Sequence, residues 1–486
     1  MTKWLLCMST LARQCIAILG VSLGMTSTSH VVSFTSVMLP QLKEVQDIDD
    51  EQASWIASIN GISLLIGLLV TPSLMSTYGR RIVNLMRSII LSISWGALIF
   101  TTDVHAILFI RFIQGFCLGL AAIVVPVLIG EYSSPKYRGV ALTTISLAIS
   151  MGVLTNHTIG TYFSWKIAGA FCCGTTVFNT LITLLSPESP TYLASRGKFD
   201  QCKDAFRWLR YPEEEEELEK MISKYTSESQ DKIKTNLIKK IKNKAIDFFL
   251  MWKRKEFYKP VIIILHLHII NEWSPATVFD AYTTNIVHGL AGKDVNIPVM
   301  LLSTDILRAV SSMCAVIVTR KCRRRPMFLV TISCNILSYI AMIVYSYLKT
   351  HNLLEYDHPM IGKILIHIHV FTFSIGNITL PNIFAGEIFV YEYRGISNMI
   401  GQIFFCMNYI VCTKTALHMM SSMGLHGMLT VYASLVAYAL VVTWFLVPET
   451  KDKTLQEIEE EYRGKTKNEE NAEVLNSLLT KVNHVN

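Results

Sequence analysis

The sequence predicts an all-α membrane protein: twelve transmembrane helices in two six-helix lobes. Three observations lead there. Of 486 residues, 51% are hydrophobic and only 17% charged, with mean hydropathy +0.38, and soluble domains carry more charge than this. The apolar residues fall into segments of about twenty, the length that crosses a bilayer as a helix. An acidic-to-basic element, Glu131 to Arg138 in GEYSSPKYRG, returns at the same spacing as Glu387 to Arg394 in GEIFVYEYRG.

Taken in order, the apolar segments lie near 15–38, 54–75, 83–101, 106–130, 140–161 and 167–186, then 260–286, 297–319, 327–348, 361–385, 396–417 and 427–447. The 140–161 segment is the least apolar because it is rich in Ser and Thr. The resulting units are an N-terminal lobe (1–186), a polar linker (187–259), a C-terminal lobe (260–447) and a tail (448–486). Acids at Glu213 to Glu217 suit the start of a linker helix, where the helix dipole favours negative charge. The first span is expected to act as its own targeting signal, since no short apolar core with a small-residue cleavage site precedes it.

The net charge of +7 does not point to nucleic acid, because Lys and Arg sit in short blocks between spans rather than among stacking aromatics. Arg80, Arg81 and Arg87, then Lys136 and Arg138, then Arg320 to Arg325 all fall in or beside loops on one face, and the first loop on the other face is acidic. A positive excess marks the inner face, so both termini and the linker are expected in the cytoplasm, with the lipid bilayer as the surrounding partner. Of the eleven cysteines, Cys15, Cys117, Cys172, Cys173, Cys314, Cys334, Cys406 and Cys412 lie within apolar segments, where a thiol behaves as a small hydrophobe. No zinc spacing occurs, so neither a metal site, a cofactor nor structural disulfides are expected, and no obligate protein partner is implied. No P-loop is present, and no nucleophile–base pair suggests an enzyme.

Further motifs join the repeated element: GRR at 79–81, RFIQGFCLGL at 111–120, PESPTYL at 187–193 and PETKDKTLQEIE at 448–459. In their order and spacing the chain resembles the sugar porters of the major facilitator superfamily, the insect trehalose and hexose transporters above all. The resemblance implies a carrier working by alternating access at the plasma membrane. It also implies a cytoplasmic gate of Arg80, Arg81, Glu131 and Arg138 in one lobe and Arg324, Glu387 and Arg394 in the other. Arg111, Gly115 and Gly119 share a helix face, where small residues let helices approach closely. Pro after a span stops the helix.

The chain departs from the family where the solute would sit. Sugar porters hold hydroxyls with amide side chains, which donate and accept without a buried charge. By alignment the positions are Ser146, Asn271, Glu272, Thr277, Arg308, Asn382 and Asn408, with Glu272 and Arg308 replacing neutral amides. A lone charge near the bilayer centre costs ~2.5–3.5 kcal/mol, so Glu272 and Arg308 are expected to compensate each other, with Asp305 a competing partner for Arg308. Asp280 is a further acid without a role. Val31 stands where proton-coupled members carry Asp, which favours facilitated diffusion of a sugar such as a hexose or trehalose. A carrier of a charged organic solute and a non-transporting sensor are the alternatives. Asn156-His157-Thr158 is a candidate glycosylation sequon.

Overall fold

The computed structural model describes residues 9–133, 138–211, 214–231, 251–274, 276–354, 358–377, 380–381, 384, 388–389, 394–451 and 462. Six long helices come first: α1 Thr10–Val45, α2 Asp50–Tyr78, α3 Arg80–Phe100, α4 Val104–Tyr132, α5 Arg138–Tyr162 and α6 Trp165–Leu185. Local chemistry sets their ends. The Asp49 carboxylate accepts from the Gln52 amide at 2.6 Å, with Asp50 and Glu51 in the first turn of α2. Asp103 does the same for Ala106 at 2.8 Å, opening α4. Such caps satisfy amides that a helix start leaves unpaired. Gly79, at φ 99°, turns the chain between α2 and α3, a conformation costly for residues with a Cβ.

The linker forms α7 Pro190–Ser195, α8 Phe199–Leu209 and α9 Glu215–Asp231. Glu215, Glu216 and Glu217 lie in the first turn of α9, as the dipole argument anticipates. The basic stretch near Lys239 lies outside the described residues. The second lobe comprises α10 Lys255–Trp273, α11 Ala276–Ala291, α12 Ile297–Lys321, α13 Arg324–Thr350, α14 Pro359–Gly376 and α15 Arg394–Leu446, the last being two helices that meet at Gly424. Among the described residues, nine helices are long and apolar enough to cross a bilayer. The expected seventh span is divided between α10 and α11. Ser274 at the break is extended (φ −74°, ψ 131°), as expected of the residue preceding proline, here Pro275.

The glycines of RFIQGFCLGL pack α4 directly on α2. A Cβ at Gly115 would collide with the Asn60 carbonyl, and one at Gly119 with the Leu64 carbonyl. Arg111, on the same face, donates to the Val31 carbonyl at 2.9 Å and to Thr35 at 2.7 Å, tying α4 to α1. The two lobes meet along α2 and α15, where Gly61 lies against Tyr409 and Ile410, and along α5 and α12.

Candidate solute pathway and its two ends

At mid-depth the broken span organises the second lobe. The Trp273 indole donates to Asn408 Oδ1 at 2.8 Å and stands edge-on to Tyr432, with ring centroids 5.0 Å apart. Tyr339 donates to the Trp273 carbonyl at 2.7 Å, satisfying an acceptor that the helix break releases. Ser274 receives a bond from Asn377 and lies 3.5 Å from Asn335 Oδ1. Asn335 in turn donates to Thr372 at 3.2 Å, and Ser338 meets His369 at 2.7 Å. Irregular backbone within a membrane persists only where protein or a wet cavity satisfies its polar groups. Here Tyr339 satisfies the Trp273 carbonyl, and the buried Asn335, Asn377, Ser338 and His369 form a hydrogen-bonded network around the Ser274 side chain.

The sequence-predicted solute residues are spread over both lobes. Asn271 donates to Glu272 Oε1 at 3.1 Å, and Glu272 is 2% exposed at the end of α10. Asn408 has its oxygen bound to Trp273 and one amide hydrogen given to the Phe404 carbonyl at 2.8 Å. One donor and one lone pair remain for a solute. Ser146 is half-buried on α5, and Arg308 is buried on α12. The Thr277 and Asp280 side chains and all of Asn382 lie outside the described residues. Asp305 reaches across the lobes: its carboxylate accepts from His157 Nδ1 of the other lobe at 2.6 Å.

Asn156 requires a correction. Its amide is fully buried and donates to Ser33 at 2.8 Å, with Cys172 on its other side. A side chain enclosed between α1 and α6 cannot carry a glycan.

At the linker end, each lobe carries a carboxylate bracket. Glu188 Oε1 accepts from the backbone amides of Arg80 and Arg81, both at 3.0 Å, capping α3. Glu449 accepts from the amides of Arg324 and Arg325 at 3.1 and 3.2 Å, capping α13. The second arginine of each pair then reaches carbonyls at the end of the span that leads into the bracketing glutamate, α6 or α15. Arg81 meets Leu184 at 2.7 Å, and Arg325 meets Trp444 at 2.9 Å. Burial pushes the Glu449 carboxyl up, but the amides of Lys451, Arg324, Arg325 and Thr450 outweigh it and hold it below the ordinary carboxylate range. Sequence reading took PESP and PETK for their prolines and missed these glutamates. The shared Pro-Glu after spans six and twelve was the available signal.

Of the predicted gate, Arg80 pairs with Glu131 at 3.5 Å without hydrogen-bond geometry. The Arg138, Glu387 and Arg394 side chains lie outside the described residues. Side-chain bonds cross between the lobes at mid-depth and in the half away from the linker. Ser150 meets Ser312 at 3.4 Å, His157 meets Asp305, and Lys414 donates to Ser54 at 2.8 Å with its ammonium 4.0 Å above the Trp55 ring.

Two helical lobes meeting around a broken span, each bracketed in the same way at one end, define a membrane carrier of the major facilitator superfamily fold. The structure of the proton:xylose symporter XylE bound to 6-bromo-6-deoxy-D-glucose superposes with a TM-score of 0.74 at 17% identity, covering 93% of this chain and all of that one. An inward-open structure of the E. coli xylose transporter XylE gives 0.70 at 16% identity, covering 93% of this chain and 99% of that one. The chain belongs to the sugar (and other) transporter family, whose profile matches residues 16–462. It is therefore a multi-pass transporter and not an enzyme.

It is similar to facilitated trehalose transporters Tret1 of insects. The Bombyx mori protein is 24% identical over 92% of this chain and 86% of its own length. The Apis mellifera ligustica protein is 26% identical over 93% and 88%. The chain spans about half of the Drosophila grimshawi relative (48%), at 25% identity over 93% of this chain.

Proposed function

We propose that the chain is a facilitative transporter of a sugar, a hexose or a trehalose-like disaccharide. It works by alternating access at the plasma membrane, with both termini in the cytoplasm. The observation that carries this reading is the contrast between the two ends. Among the described residues, the Glu188 and Glu449 brackets at the linker end each hold their own lobe, whereas His157–Asp305 and Lys414–Ser54 in the other half join one lobe to the other. Lobes that are each rigid at one end and joined at the other are suited to rocking about a central site. Family membership and the Tret1 relatives support a sugar as cargo. Ser146, Asn271, Glu272, Thr277, Arg308, Asn382 and Asn408 are the residues proposed to face the solute. Arg80, Arg81, Glu131 and Arg138, with Arg324, Glu387 and Arg394, form the proposed cytoplasmic gate.

Burial of Glu272 and Arg308 favours a second reading, in which the solute is a small charged organic molecule. Uptake of radiolabelled glucose, trehalose and an acidic sugar into proteoliposomes decides between them, with and without an imposed proton gradient. The first reading expects saturable entry of a neutral sugar unaffected by the gradient. Entry of the acidic sugar alone establishes the second, and gradient-driven accumulation contradicts the facilitative mechanism.

A further inference from the structure

Asp305 is a carboxylate eight residues into an apolar helix, 2% exposed. An ionisable group there is expensive, and it persists where it has a partner and a task. Its partner is His157 on α5, also 2% exposed and held at 2.6 Å. The other ring nitrogen of His157 lies 2.8 Å from the Ser36 hydroxyl on α1. When Ser36 gives its one proton to the Ser33 carbonyl, 2.7 Å away, its lone pair faces Nε2. The bond therefore joins three helices, two of one lobe and one of the other.

We propose that the His157–Asp305 bond is the lock holding the lobes together in the half of the pathway away from the linker, and that it opens in each transport cycle. The inference rests on the alternating-access reading above and gives one of its cross-lobe bonds a specific task. A bond within one lobe would survive rocking, but this one spans the boundary that must part. Closed, the two groups are dry and hydrogen-bonded, and removing either strands the other without water. Open, water reaches both, so the lock is reversible. Ser150 and Ser312, further toward mid-depth, are sealed behind it (2% and 3% exposed). Lys414 on Ser54 and Trp55 closes the same half nearer its end.

The test uses the full-length protein in intact cells, with Ser312→Cys as a reporter. A membrane-impermeant maleimide is added outside, and labelling is read at that residue by mass spectrometry. Asp305→Asn and His157→Gln should each raise the labelling rate about tenfold, within the range of ordinary conformational couplings. The swap His157→Asp with Asp305→His should return it to within about twofold of the parent, because the pair is restored. Size-exclusion profiles exclude misfolded variants, and either single substitution suffices if the other fails to fold. Unchanged labelling in the folded single variants overturns the lock, as does a swap no better than the singles. Glucose and trehalose uptake by the parent is measured in parallel. No uptake with the labelling pattern intact defeats the neutral-sugar reading and leaves the lobe contact standing, whereas uptake with unchanged labelling defeats the lock alone.

Discussion

The brackets built on Glu188 and Glu449 cap equivalent helices, yet they are embedded differently. Glu188 grips the amides of Arg80, Arg81 and its own neighbour Ser189 with one oxygen, and the surrounding linker helices add to it. Tyr192 donates to the Thr77 carbonyl at 2.9 Å, Arg196 reaches the Ser76 and Thr77 carbonyls, and the Arg80 guanidinium lies 5.2 Å over the Tyr192 ring. Arg210, itself paired with Glu214 at 3.2 Å, donates to the Glu131 carbonyl at 3.4 Å. Glu449 instead uses both oxygens, and Arg324 adds a bond to Thr450 at 3.3 Å. The same short motif thus makes the same cap twice, but in the first lobe the linker turns it into a platform. A gate needs bonds that break each cycle and anchors that do not, and the caps have the character of anchors.

This asymmetry can be broken experimentally. Glu188→Ala should have the largest effect, lowering transport by about tenfold or more at unchanged surface expression, since it releases those backbone amides and the platform together. Glu449→Ala should cost about threefold, because it releases its amides without also undoing a platform of linker helices. Equal losses would show that the platform adds nothing. Tyr192→Phe removes one hydrogen bond, a net contribution of ~0.5–1.5 kcal/mol, and should change uptake by less than about twofold.

The Glu449 bracket also predicts a pH signature. Its carboxyl is depressed in the folded protein, so its contribution is fully present above the ordinary value of 4.5 and fades as pH falls through the lower folded value. The difference in melting temperature between the parent and Glu449→Gln should be present at neutral pH and vanish in acid. A difference that persists in acid would mean that the bracket acts by shape and not charge. The smallest effect belongs to Asn156→Gln: electrophoretic mobility should be unchanged, and a downward shift would restore the sequon as a glycan site.

Much of the fold was legible because its signals are local. Apolar runs set the spans, the GEYSSPKYRG repeat marked a duplication, and the spacing of Gly115 and Gly119 foretold the close contact of α4 with α2. Helix limits were less visible: α1 runs Thr10–Val45, well beyond the apolar 15–38, since capping and tertiary contacts extend a helix past its apolar core. The candidate site was legible only where alignment or spacing reached it. His157 and Asp305 lie 148 residues apart, and nothing local ties them together. Nothing local marked Asn377 or Asn335 either, yet both contact Ser274 at the break after Trp273. Such partners are chosen by the packing of separate helices, which periodicity does not record.

The central claim is that two rigid lobes rock, opening one end as the other shuts. Spin labels at Ser76 and Arg323 report the linker end, and labels at Glu51 and His418 report the opposite end, each pair read by pulsed electron resonance in nanodiscs. The account predicts that the two distances change in opposite directions when a transported sugar is added. Distances that stay fixed at both ends, or lengthen together, would contradict it.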